Sequence, residues 1–118
     1  MNDPAEAYER IARILINAIP EPWSSVFMRV EVGEGRTDHV TTYLSKAGKT
    51  GQVFVEDEIE PIVRQLQSEM SNLRRDKAKW YSIDFSMDSS GKFTTNFSYD
   101  KPKWMLEAEA LRKAMDKK

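Results

Sequence analysis

The sequence predicts an α+β domain, in which helices pack against a five-stranded antiparallel sheet in the order α-β-β-β-α-β-β-α. Three segments repeat apolar residues at helical spacing, and five shorter segments alternate apolar and polar residues, as strands with one buried face do. The turns between consecutive strands are short, which favours antiparallel pairing. The 118 residues suit one domain, so we treat residues 1–118 as a single unit.

The first helix is predicted to begin at the capping residue Asp3 and to end before Pro20. Pro4 fits the first helical position, and apolar residues such as Ile11 and Leu15 then recur at helical spacing. From Trp23 the period changes to two, which predicts a strand. Its aliphatic row is Val26, Met28, Val30 and Val32.

Residues 33–38 are predicted to form a turn, and a second strand follows with the row Val40, Thr42 and Leu44. A short third strand is predicted at residues 52–55. The second helix opens at the acidic stretch 56–60, and its apolar stripe is Ile59, Ile62, Val63, Leu66, Met70 and Leu73. Residues 79–87 and 93–99 form the last two strands, around a turn with Gly91. Pro102 starts a terminal helix with one apolar side, formed by Trp104, Ala108, Leu111 and Met115.

Composition and charge exclude several classes of function. There is no cysteine, which excludes disulfides, thiolate catalysis and cysteine-based zinc sites, and suits a reducing compartment. The net charge of −1 argues against a nucleic-acid binder, which usually carries an excess of Lys and Arg. We find no export signal, and the apolar run at residues 11–19 is too short and too polar to span a membrane. We therefore expect a cytoplasmic protein without a membrane or nucleic-acid partner.

No catalytic, metal-binding or cofactor-binding motif is found. His39 is the single histidine and has no ligand partner at suitable spacing, so we expect it at the surface or facing a partner. Gly33 and Gly35 lie between strands, which predicts a hairpin turn and not a phosphate-binding loop. The carboxylates at 56–60 fit a helix start, where they complement the helix dipole, or a docking surface for a basic partner.

Several aromatic residues fall outside the predicted core rows. Phe27, Tyr43 and Phe54 lie on strand faces opposite the aliphatic rows, and Trp80 lies near an element boundary. Either helices cover both faces of the sheet in part or the sheet is coiled, or else one face is open and rich in aromatic side chains, as binding hot spots are. The sequence leaves both accounts open.

Two blocks of the chain resemble a known family. In the first, an amphipathic helix ends in Ile19-Pro20, Trp23 follows, and a strand of alternating aliphatic and aromatic residues runs to Val32. In the second, residues 88–93 (Asp-Ser-Ser-Gly-Lys-Phe) lead into a strand that ends in Tyr99-Asp100. Both blocks resemble the YezG-like immunity proteins, although this chain has a short charged helix where many members carry a longer aromatic-rich tail.

The resemblance implies an immunity protein, or antitoxin, that binds the C-terminal domain of a secreted polymorphic or contact-dependent bacterial toxin, commonly a nuclease. Such a protein blocks the toxin by stoichiometric occlusion, so we expect no enzyme activity and no cofactor, and a monomer rather than a dimer. The residues predicted to contact a basic toxin domain are Glu31, Glu34, Tyr43, Phe54, Glu56, Asp57, Glu58, Glu60 and Trp80. The alternative is a small acidic secretion chaperone of the type III class, which has the same element order; an enzyme or nucleic-acid module ranks third.

Overall fold

A computed structural model describes residues 4–116 and has the predicted order of helices and strands. The helices are α1 (Pro4–Ala18), α2 (Glu56–Leu73) and α3 (Lys103–Asp116). The strands are β1 (Trp23–Gly33), β2 (Arg36–Ser45), β3 (Thr50–Gln52), β4 (Ser82–Asp88) and β5 (Phe93–Ser98). They form one antiparallel sheet in the order β3-β2-β1-β4-β5. The predicted α+β class is confirmed.

The helix α1 packs through its apolar side. Ile11 and Leu15 are fully buried and lie one turn apart, as helical spacing requires. The helix ends at Ala18, shortly before Pro20, which lacks the N–H that would continue it. Asp3, the predicted capping residue, lies outside the described residues.

One face of the sheet, which we call the inner face, forms the core with α1 and α2. The buried residues of β1 and β4 on this face are Val26, Met28, Val30, Val32, Ile83, Phe85 and Met87. The predicted apolar stripe of α2 is confirmed for its buried members Ile59, Ile62, Val63 and Leu66. Leu73, the last residue of α2, is 68% exposed, so the stripe stops before the end of the helix.

The hairpin between β1 and β2 is tighter than the sequence predicts. Gly33 pairs with Arg36, so the loop contains two residues, Glu34 and Gly35, where a turn over residues 33–38 is predicted. Gly35 has a φ of +73°, which glycine adopts without a steric penalty. A two-residue loop fixes which residues of the two strands face each other.

This register reverses the predicted faces of β2. Tyr43 lies opposite Val26, and His39 lies opposite Val30. Because directly paired residues project to the same side of a sheet, both side chains lie on the inner face. The row Val40, Thr42 and Leu44 therefore lies on the opposite, outer face, where Val40 is 52% exposed.

The third strand is Thr50–Gln52, earlier in the chain than the predicted residues 52–55. The Val53 N–H still donates to the Thr41 carbonyl at 3.2 Å, so the pairing with β2 continues one residue past β3. Val53 and Val55 are buried, whereas Phe54 is 76% exposed. Since successive side chains alternate, Phe54 projects to the outer side of the sheet.

The helix α3 packs on the rest of the protein mainly through its first turn, and Arg112 further along adds a surface ion pair with Glu34. The Trp104 ring packs against Gly33, where an added Cβ would lie 2.7 Å from the ring. The Trp104 indole N–H donates to Glu31 at 3.0 Å. Leu111 and Met115 were expected on the same apolar side, but they are 64% and 63% exposed. The terminal helix is confirmed, and its apolar packing is concentrated in the first turn.

Candidate protein-binding surface

The acidic stretch that opens α2 contains two free carboxylates. Asp57 and Glu58 are exposed in the first turn, and Val55 at the helix start provides no side-chain cap. Their negative charges complement the unpaired backbone N–H groups at this end of the helix. Within residues 4–116, no hydrogen bond or ion pair engages either carboxylate. Both carboxylates are therefore available to a partner.

Glu56 and Glu60 connect α2 to β2 instead. Glu60 accepts a hydrogen bond from the Thr37 hydroxyl at 2.7 Å and one from the Arg64 guanidinium at 3.1 Å. These bonds lower the pKa of Glu60. Glu56 Oε1 lies 3.8 Å from Nδ1 of His39. These two predicted contact residues thus have partners inside the protein.

The His39 side chain is enclosed although the residue as a whole is only part-buried, which corrects the prediction of a surface position. The hairpin register turns it to the inner face, where its side chain is 3% exposed. Nε2 lies 3.1 Å from the Thr41 hydroxyl, and Nδ1 has no hydrogen-bond partner among residues 4–116. Burial lowers the pKa of His39, while the Glu56 carboxylate opposes this shift. The direction of this pKa shift favours the neutral imidazole, which lies between β2 and the start of α2 at the margin of the core.

Tyr43 and Trp80, predicted as partner-facing anchors, are core residues. Tyr43 is 7% exposed, and its hydroxyl donates to Glu21 at 2.8 Å. Trp80 is fully buried, with its ring centroid 5.1 Å from that of Phe97. The error for Tyr43 comes from the register of β2. The error for Trp80 comes from extending the alternation of β4 to residue 79, whereas the strand begins at Ser82.

Glu31 and Glu34 lie at the end of the sheet that carries the β1–β2 hairpin. Glu31 is on the outer face and accepts the indole N–H of Trp104. The Glu34 side chain is 89% exposed, and its carboxylate lies 3.7 Å from the Arg112 guanidinium. Both residues therefore contact α3, and neither adjoins the acidic start of α2 in the sequence.

Four apolar side chains form an exposed patch on the outer face of the sheet. We define the outer-face patch as Phe27, Val40, Leu44 and Phe54, which are 39%, 52%, 39% and 76% exposed. They belong to β1, β2 and the segment after β3, which are neighbours in the sheet. Because α1 and α2 pack on the inner face, they leave this patch open.

Polar groups border the outer-face patch. Arg29 lies beside Val40 in the sheet and forms an ion pair with Asp84 at 3.2 Å. A shallow groove of about 410 Å³ extends from Phe27 towards β5. Its polar lining residues include Ser25, Ser86, Asp88, Lys92 and Thr94. An apolar centre with a polar border is the usual layout of a protein interface.

The sequence interpretation placed only Phe54 of this patch among the contact residues. Phe27 was noted as an aromatic on the face opposite the aliphatic row, and the structure supports the open-face account for it. Val40 and Leu44 were assigned to the core row of β2. A two-residue turn at Glu34-Gly35 would have placed them outside, since it sets the register of the whole hairpin.

The arrangement suits recognition of another macromolecule. Exposed aromatic and aliphatic side chains on a rigid sheet can bury apolar area against a partner without ordering a loop. Among residues 4–116, no three histidine or acidic side chains are grouped as metal ligands would be. Within the same range, each helix is too short or too polar to cross a bilayer.

Comparisons with known proteins agree with the resemblance seen in the sequence. A family model described as "Immunity protein YezG-like" matches residues 5–114. A relative from Bacillus spizizenii, named immunity protein YezG, is 23% identical over 110 residues, which covers 80% of this chain and 68% of the relative. Neither finding favours the secretion-chaperone alternative. The family match spans nearly the whole chain, and the protein therefore belongs to the YezG-like family of immunity proteins.

Proposed function

We propose that this protein neutralises a bacterial toxin by binding its C-terminal toxic domain in a stoichiometric complex that occludes the domain. Membership in an immunity-protein family supports binding to a toxin. The observation that carries the proposal is the open outer face, because an inhibitor that acts by occlusion needs a surface and no catalytic groups. The cytoplasm is the compartment in which such a protein would meet an imported toxin.

The proposed contact surface is the outer-face patch together with Asp57 and Glu58. Phe54 is its most exposed aromatic side chain and the best candidate for a binding hot spot. Asp57 and Glu58 follow it closely in the chain and carry unpaired negative charges. A toxin of the nuclease class presents a basic cleft for nucleic acid, and exposed carboxylates a few residues after Phe54 would accelerate its association.

The test first searches the genes beside this one for a large reading frame that ends in a compact basic domain, and purifies that domain as the toxin. Its activity is titrated with this protein, and full inhibition is expected at one equivalent. Replacing Phe54 with Ala should weaken binding about 30-fold or more, the scale of a hot-spot residue. Calorimetry measures the affinity, and co-expression of toxin and inhibitor measures protection of cells.

The role of the two free carboxylates is tested by Asp57→Lys combined with Glu58→Lys. This variant should associate about tenfold more slowly at low salt, and the difference should shrink at high salt because ions screen the attraction. The matched control is Glu107→Lys combined with Asp116→Lys, which changes the net charge equally on the exposed surface of α3. Equal association rates for both variants would remove the acidic start of α2 from the interface.

Two outcomes would contradict the proposal as a whole. One is full toxin activity in the presence of excess inhibitor. The other is binding of the unfolded toxin segment alone, with no affinity for the folded domain, which is the behaviour of a secretion chaperone. If the Phe54→Ala variant binds the toxin with unchanged affinity, inhibition by this protein still stands, but the contact lies on another surface.

A further inference from the structure

The strand β5 forms an unprotected edge of the sheet. It is last in the strand order and contains six residues, Phe93–Ser98, with no proline and no charged side chain. Soluble proteins usually shield such an edge with lysine, proline, a bulge or a very short strand, because the unpaired backbone groups can bind another strand. The opposite edge strand, β3, has only three residues. The two edges therefore differ in their capacity to pair.

The alternation of hydrogen-bonded and non-hydrogen-bonded pairs between β4 and β5 shows which residues of β5 have free backbone groups. The Asp88 N–H donates to the Lys92 carbonyl at 2.9 Å, so these opposed residues form a hydrogen-bonded pair of the β4–β5 hairpin. In an antiparallel ladder such pairs alternate with non-hydrogen-bonded ones. The backbone groups of Phe93, Thr95 and Phe97 therefore point away from β4, towards the open edge.

We propose that a second copy of this protein pairs with this edge, β5 against β5, in an antiparallel arrangement centred on Thr95. A two-fold axis at this position brings Phe93 opposite Phe97 of the other copy and Thr95 opposite itself. All three pairs are formed by residues whose backbone groups point outward, so each can exchange two hydrogen bonds. The residues with outward-pointing backbone groups are thus the same residues that a two-fold axis at Thr95 pairs with each other.

The side chains of β5 are also self-complementary about this centre. The sequence Phe-Thr-Thr-Asn-Phe at residues 93–97 has the same apolar and polar pattern in both directions. On the inner face, Phe93 is 45% exposed and would be covered by Phe97 of the other copy. On the outer face, Thr94 would lie opposite Asn96, and Lys92 opposite Ser98. No like charges are opposed.

The dimer joins the two sheets into one continuous ten-stranded sheet. Since the two-fold axis is perpendicular to the sheet, the two outer faces lie on the same side. The outer-face patch lies on β1, β2 and the segment after β3, and β4 separates it from the new junction, so its apolar residues stay open for a toxin domain. The groove beside Phe27 ends at Lys92 and Thr94, which lie at the junction. This inference replaces the expectation of a monomer and does not depend on the proposed toxin.

Sedimentation of the purified protein at increasing concentration tests the dimer. The expected result is a shift from 13.7 kDa towards about twice that mass as the concentration rises from the micromolar range to several hundred micromolar. Amide hydrogen exchange should show protection of Thr95 and Phe97 that increases with concentration. Replacing Thr95 with Pro removes a free N–H without touching the ladder to β4, and should leave a folded monomer.

A charge pair tests the register independently of proline. The combination Thr94→Lys with Asn96→Lys opposes two lysines at each contact, and should weaken the dimer by tenfold or more at low salt. The combination Thr94→Glu with Asn96→Lys opposes Glu and Lys instead, and should restore or exceed the original affinity. Both variants place the same lysine beside Asp84 in the monomer, so they are matched in this contact.

A monomer at every concentration would overturn the inference. A dimer that is insensitive to Thr95→Pro and to both charge combinations would also overturn it, because the contact would then lie elsewhere. If the protein is monomeric alone but loses toxin binding on Thr95→Pro, the edge binds a strand of the toxin, and the second copy is refuted as its occupant. Since the sedimentation test needs no toxin, its failure is distinct from failure of the proposed function.

Discussion

Replacing Tyr43 with Ala tests the hairpin register and the surface assignment together. The ring is 7% exposed, packs against Gly51, and donates a hydrogen bond to Glu21. Truncation of a buried aromatic side chain costs about 3–5 kcal/mol. The Tyr43→Phe variant keeps the ring and loses the hydrogen bond, which contributes about 1 kcal/mol. We expect the free energy of unfolding to fall by about 3 kcal/mol or more for Ala and by about 1 kcal/mol for Phe.

Urea unfolding, followed by tryptophan fluorescence, measures both losses, with Trp80 as a buried probe. The control is Phe54→Ala, which removes a side chain that is 76% exposed and should change stability by less than about 0.5 kcal/mol. The reasoning is refuted if Tyr43→Ala unfolds like the unaltered protein while Phe54→Ala loses several kcal/mol. That result would mean that Tyr43 lies on the outer face of the sheet and Phe54 on the inner face.

Three further predictions concern residues that the structure places in specific contacts. Burial lowers the pKa of His39 from its usual 6.5, so near and below this pH the unfolded chain binds a proton more readily than the folded chain does, and the free energy of unfolding should fall as the pH drops below 6.5. His39→Gln should remove this part of the pH dependence. Equal pH profiles of the two proteins in urea unfolding would contradict the prediction. Gly51→Ala places a Cβ against the Tyr43 ring and should destabilise the fold by about 1–3 kcal/mol, a loss that should largely disappear in a Tyr43→Ala background. Trp104→Ala removes the side chain that packs on Gly33 and binds Glu31, so amide exchange in residues 103–116 should accelerate at least tenfold while β4 stays protected. Equal acceleration in α3 and β4 would mean that α3 unfolds together with the sheet.

The order of helices and strands could be predicted because the spacing of apolar residues in each segment depends on that segment alone. The alternation from Val26 to Val32 follows from one buried face, and the structure confirms that row. Ile59, Ile62 and Leu66 recur at helical spacing for the same reason. Such patterns depend on which side of one element is buried, and the sequence contains that information directly.

The faces of β2 could not be predicted from its own residues. The strand alternates Val40, Thr42 and Leu44 with His39, Thr41 and Tyr43, and either row is apolar enough to be internal. The choice is made by the partner strand through a two-residue turn, which is a property of the pair. The outer-face patch could not be predicted for the same reason, because Val40 and Leu44 are exposed only in this register of β1 and β2.

The acidic start of α2 divides into two pairs of carboxylates because of helical geometry. Glu56 and Glu60 are four residues apart, so they share the helix side that meets β2 at His39 and Thr37. Asp57 and Glu58 point to other directions around the same turn and remain unpaired. All four carboxylates lie near the N-terminal end of the helix, where negative charge is favourable. A helix start of this kind can anchor itself to the sheet with one pair and still present the other pair to a basic partner, so the two interpretations of the cluster are compatible.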